Sequence, residues 1–168
     1  EKRTHDRTKI RICTMSLSKT VAFVTGGGSG LGAAAVHSLL RNGARVMVGD
    51  LSEDAFVANI LKKTSTSSSN SHVTFFKVDV TQPDTITAAL DAIEDTFGES
   101  LSAVVNSAGV ATASKTINKK GLPHSASSFE KTLAVNTIGS FNVARLAAER
   151  MQHNMPTMIE ERGGGGGG

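Results

Sequence analysis

The stretch TGGGSGLG at residues 25–32 follows an apolar, β-branched run and places five glycines where a helix would begin. A strand, a glycine turn and a helix N-terminus in that order make an anion site, because free N–H groups and the positive end of the helix dipole converge on one point. The spacing is TG-x3-G-x-G. It assigns Gly26 to the turn, Gly30 to the close approach of a pyrophosphate, and Gly32 to the packing of helix on sheet. A P-loop would need Gly-Lys-Ser/Thr at this point, and Gly32 is followed by Ala33, which excludes it. A glycine turn with no ligand stays open on these residues alone.

A second residue narrows the choice. Asp50 ends the next apolar run 18 residues after Gly32, close to the offset of about 20 at which a carboxylate accepts hydrogen bonds from an adenosine ribose. The same charge repels a 2′-phosphate, so the pair of features points to NAD rather than NADP. Without the glycines Asp50 reads better as a strand-terminating turn residue; together with them it favours the cofactor.

The elements that must position these groups alternate. Residues 19–25, 44–50, 73–80 and 101–106 read as short, continuously apolar strands, and 30–42, 52–62 and 83–97 as helices. Ser52 is placed to cap the second helix, with Glu53 and Asp54 in its first turn. Thr81 and Asp84 form a capping-box pattern ahead of the third, with Pro83 early in that helix. Residues 64–71 read as a polar loop and 108–123 as a long one. The longest helix starts at Ser125 or Ser127 and runs to about Gln152, with Phe129, Leu133, Asn136, Ser140, Val143 and Ala147 down one face. Strands apolar throughout and alternating with helices give the α/β class, a doubly wound parallel sheet with its ligand crevice at the strand carboxyl ends.

Composition narrows the rest. At 39% hydrophobic and 20% charged, the 168 residues suit one soluble globular domain. No window approaches 18 consecutive apolar residues, which argues against a transmembrane helix. Cys13 stands alone, excluding a disulfide within the chain and a thiolate metal site, and the histidines His5, His37, His72, His124 and His153 lack metal-ligand spacing, so no metal is expected. Of the net +3, the first 20 residues carry +4 and the rest −1, so the basicity sits in the tail and gives no reason to expect nucleic acid. Residues 1–18 read as a basic, disordered tail, either a targeting segment, a nucleic-acid arm or sequence outside the mature protein. Residues 19–162 read as the foldable part and 163–168 as a polyglycine tail.

TGGGSGLG, Asp50, the Asp79-Val80 pair after the third strand and NSAG (Asn106 to Gly109) after the fourth together resemble the short-chain dehydrogenase/reductase family, in its order and spacing, over about residues 19–151. The resemblance implies a Rossmann-like sheet cut short after the fourth strand and the helix that follows. It implies that Ser29, Gly30 and Leu31 line the pyrophosphate and nicotinamide side of NAD, that Asp50 holds the adenosine ribose, that Asp79 and Val80 read the adenine edge, and that Asn106, Ala108 and Gly109 shape the floor. Asn136 matches a helix Asn that organises a proton-relay water chain; the bland alternative is a polar residue at a helix kink. The segments GVATASKT and NKKG resemble a subgroup that is mitochondrial, homotetrameric and oxidises 3-hydroxyacyl-CoA or hydroxysteroid alcohols; without that link a cytoplasmic location would be expected.

The family's reaction needs a Tyr as proton acceptor, a Lys to lower its pKa and a Ser to orient the substrate. This chain contains no Tyr, so the expectation is a cofactor-binding portion of a longer enzyme, inactive as it stands. The alternatives are a nucleotide-binding subunit without catalysis, and a methyltransferase holding S-adenosylmethionine in a similar glycine turn.

Overall fold

The computed structural model describes residues 16–64 and 72–152. Strands β1 (Val21–Thr25), β2 (Arg45–Asp50), β3 (Val73–Lys77) and β4 (Ala103–Asn106) form one parallel sheet in the order β3-β2-β1-β4. The chain therefore runs outward from β1 in one direction and returns to its other side, and the crevice of such a sheet opens where the order reverses, between β1 and β4.

The strands lack polar alternation because both faces are covered. Val21, Phe23 and Met47 point to one face, where Ile86, Ala89 and Ile93 of α3 (Pro83–Phe97) and Val143 and Ala147 of α5 (Ser140–Met151) bury them. Ala22, Val24, Val46 and Val48 point to the other, under Val36 of α1 (Gly30–Arg41) and Phe56 of α2 (Glu53–Asn59). On the first face Arg150 of α5 donates to the Asp91 carboxylate of α3 at 2.7 Å, a hydrogen bond that raises the guanidinium pKa further.

Expected caps separate by local chemistry. Ser52 does cap α2, accepting the Ala55 N–H at 3.2 Å. Ser52→Ala is expected to cost about 1 kcal/mol and to lower Tm by about 3 °C, read by thermal unfolding. The helix is shorter than expected, giving way to a 3-10 turn at Leu61–Lys63. The Thr81–Asp84 capping box does not form. The cap of α3 is Gln82, with no side-chain bond, because Thr81 is drawn to Asp79: its N–H and hydroxyl both donate to Asp79 Oδ1, at 2.9 and 2.7 Å. That turn also stops β3 at Lys77, short of Val80.

The last helix departs most from its expected pattern. α4 (Ala126–Leu133) continues through a π-helical segment, Ala134–Gly139, into α5. Wider turns there let the inward residues recur every fourth position, Val135, Gly139, Val143 and Ala147, whereas a uniform 3.6 period selects a different set ahead of the segment. Of the expected face, Val143 and Ala147 are buried but Phe129 and Leu133 are exposed. Gly139 is required here: a Cβ would lie 2.6 Å from Val80 Cγ2.

Leu17, inside the expected tail, packs on the second core cluster, and its N–H donates to the Asn42 carbonyl at 2.8 Å. The expectations for residues 1–15, 65–71 and 153–168 lie outside the described residues. Among the described residues β4 pairs on one side only, with β1, and Phe129, Ile138 and Phe141 of the last helical run are exposed.

Candidate functional site

At the carboxyl ends of the strands, where their order reverses, a cavity of about 710 Å³ opens. The glycine turn forms one wall. Gly26 (φ 64°) leaves β1 with its N–H donating to the Gly49 carbonyl at 2.7 Å, and a Cβ on it would lie 2.6 Å from the Ala108 main chain. The two loops thus touch through a position that admits no side chain. Ser29 then occupies the N-cap of α1 in extended conformation without a side-chain cap bond, so the amides of Gly30, Leu31 and Gly32 open the helix uncapped by a side chain.

Asp50 stands at the opposite edge. Its Oδ2 accepts the Gly28 N–H at 2.9 Å and its Oδ1 the Ser52 N–H at 3.3 Å, which holds the half-buried carboxylate at the cavity rim. Asp79 is fixed similarly by Thr81, as described above. The floor is the loop after β4, where Gly109 lies against Asn136: a Cβ there would be 3.4 Å from Asn136 Oδ1.

The structure brings Gly26, Ser29, Gly30, Leu31, Asp50, Asp79, Val80, Ala108 and Gly109 together around this cavity. Gly32, Asn106 and Asn136 stand behind the walls. Gly32 packs under the turn, with room for no Cβ: one would sit 2.1 Å from the Gly26 carbonyl oxygen. Asn106 ties β4 to the last helix, donating to the Ser140 carbonyl at 3.2 Å and accepting from the Thr25 hydroxyl at 3.4 Å. Asn136, inside the π-helical segment, clamps the floor loop: its Oδ1 accepts the Val110 N–H at 2.9 Å and its Nδ2 donates to the Val110 carbonyl at 2.8 Å.

Sequence reasoning missed Leu51, Thr81, Lys131 and Val135, which also line the cavity. Lys131, Ala134 and Val135 recur at helical spacing and face it from α4 and the π-helical segment; the apolar stripe through Phe129 and Leu133 obscured them. Among the described residues no group of three His, Cys, Asp or Glu is placed to hold a metal, and no helix is long and apolar enough to cross a membrane.

Residues 20–164 match the family model described as short chain dehydrogenase. Over 150 residues the chain is 40% identical to the 3-hydroxyacyl-CoA dehydrogenase type-2 of Drosophila melanogaster, covering 88% of this chain and 55% of that protein. For the protein of that name from Homo sapiens the identity is 38% over 149 residues, covering 88% and 54%. The chain thus spans about half the length of these curated relatives. A solved structure from Novosphingobium aromaticivorans, described as a short-chain dehydrogenase, superposes with a TM-score of 0.70 at 27% identity, over 81% of this chain and 47% of that one. With the glycine turn, the strand-end carboxylate and the strand reversal in one place, and the family model spanning nearly all of the described fold, the chain belongs to the short-chain dehydrogenase family.

Proposed function

We propose that the chain is the dinucleotide-holding portion of an NAD-linked oxidoreductase acting on secondary alcohols, of the 3-hydroxyacyl-CoA or hydroxysteroid class, in a mitochondrial homotetramer. The observation that carries the reading is the Asp50 carboxylate, held by two main-chain amides at the rim of the cavity that the uncapped start of α1 also faces. The residues present fit the group. The amides of Gly30 and Leu31 would receive a pyrophosphate at the positive end of the α1 dipole. Asp50 would accept hydrogen bonds from ribose hydroxyls, and a 2′-phosphate would meet its negative charge instead. Asp79 and Val80 would border the adenine, while Ala108 and Gly109 would floor the site.

When bound, NAD supplies the hydride acceptor for oxidation of the carbinol carbon, and the protein's part is orientation and electrostatics. Asn136 would keep the floor loop in place through Val110 and take part in proton relay as the family resemblance implies. An unperturbed phenol ionises near pH ~10 and serves as base only beside a cation; with no Tyr in these 168 residues, the chain by itself would hold the cofactor without turning over alcohol. Membership of the dehydrogenase family removes the motive for the methyltransferase reading.

Calorimetric titration with NADH, NADPH and S-adenosylmethionine tests the proposal. The expected result is saturable binding of NADH, at least about tenfold weaker binding of NADPH, equal to about 1.4 kcal/mol, and none of S-adenosylmethionine. Equal affinity for the two nicotinamide cofactors would remove the role given to Asp50.

A further inference from the structure

Both main-chain polar groups of Gly28 are held by side chains. Its N–H donates to Asp50 Oδ2 at 2.9 Å, and its carbonyl accepts from Asn59 Nδ2 at 2.9 Å. Asn59 ends α2, and the cap at the other end of that helix, Ser52, gives its own N–H to Asp50 Oδ1. The helix therefore closes a ring: Asp50 to Ser52, along α2 to Asn59, across to Gly28 and back to Asp50. The ring is tied outward as well. His37 Nε2 of α1 lies 2.9 Å from the Asn59 carbonyl, and since a carbonyl oxygen only accepts, that nitrogen carries the proton.

The ring leaves the carboxylate little play. A Cβ on Gly28 would sit 2.9 Å from Asp50 Oδ2, so carboxylate and loop are already in close packing. Neither Asn59 nor His37 lines the cavity. We propose that Asn59, supported by His37, is a positioning residue for cofactor selectivity: by fixing the Gly28 peptide it aims the Asp50 carboxylate, and so sets how strongly the site prefers a ribose 2′-hydroxyl over a 2′-phosphate. The inference rests on the NAD reading above for its cofactor consequence, but the ring itself does not.

The consequence separates a positioning role from a structural one. A carboxylate free to swing loses its hydrogen bond to the 2′-hydroxyl of NADH, whereas NADPH, whose 2′-oxygen carries the phosphate, has no such bond to lose and is repelled less. General loosening of the loop weakens both alike. The test uses the full chain with Asn59→Leu, close in shape but without a donor, and His37→Leu, which leaves the Asn59 side chain in place. Two readouts are taken: affinities for NADH and NADPH by cofactor fluorescence, and hydrogen exchange of the Gly28 amide by NMR.

For Asn59→Leu, the loss of about one net hydrogen bond predicts NADH binding about 5- to 10-fold weaker, NADPH changed by less than about 2-fold, and Gly28 exchange accelerated by about 10-fold. His37→Leu should move all three in the same direction by less, and serves if Asn59→Leu fails to fold. Equal weakening of both cofactors, or unchanged affinity with unchanged Gly28 exchange, would overturn the proposal. If the parent chain binds neither cofactor while Asn59→Leu still accelerates Gly28 exchange, the ring stands and the NAD reading falls.

Discussion

Asp50→Ala is expected to weaken NADH binding about 30- to 100-fold, because hydrogen bonds to a charged group contribute about 1.5–3 kcal/mol and about 1.4 kcal/mol is tenfold. The substitution acts twice, removing the acceptor proposed for the ribose and releasing the Gly28 and Ser52 amides that the carboxylate holds. Asp50→Asn separates the two effects. It keeps an oxygen for one amide and removes the charge, so NADH should weaken by only about tenfold while NADPH tightens as the repulsion of its phosphate disappears. Parallel titrations of the parent and both variants measure this. An Asp50→Ala protein that bound NADH as tightly as the parent would leave the cavity without its principal selector.

Gly32→Ala is expected to damage the fold itself. The added Cβ would stand 2.1 Å from the Gly26 carbonyl oxygen and 3.0 Å from Gly27 Cα, both of them main chain. The turn cannot retreat, since Gly26 is hydrogen-bonded to the end of β2 and already touches the Ala108 main chain. A buried overpacking with no side chain to rotate away belongs at the upper end of its range, about 3 kcal/mol or more, which lowers Tm by about 6–12 °C and removes cofactor binding with it. Gly30→Ala is the informative contrast. No atom lies within 4 Å of a Cβ there, so only the φ of 53° opposes it, at about 1–2 kcal/mol. Thermal unfolding of the two variants side by side checks the difference; equal effects would mean that α1 does not need close contact with the turn.

These two positions also show why parts of the site were readable in the chain and others were not. The glycine turn meets local steric demands within eight consecutive residues, so its pattern survives in one dimension. Asp50 is nearly as legible because the length of α1 fixes how soon the neighbouring strand must end. Asn59 and His37 are not. Their contacts link residues 31 and 22 positions apart, with no motif around either, and an Asn near a helix end has ordinary reasons to be there.

The last helical run failed differently. Its expected face assumed a uniform 3.6-residue period, and the π-helical segment shifts that phase where Asn136 clamps the floor loop. The Thr81–Asp84 pattern was a fair capping signal on its own. It lost to a closer competitor, the Asp79 side chain two residues upstream.

The reversal of strand order at β1 also dictates the sequence of events as the chain becomes itself. Val21 meets Arg45 across one short crossover, but the β4 partners of β1 lie 81 residues away, and closing a longer loop costs more entropy before any contact repays it. The half carrying the glycine turn and Asp50 can therefore assemble from nearby chain, and the half carrying Ala108 and Gly109 arrives last. A polypeptide emerging from the ribosome is thus expected to bring the glycine turn and the Asp50 carboxylate together first and to acquire the loop beneath them only when the fourth strand docks.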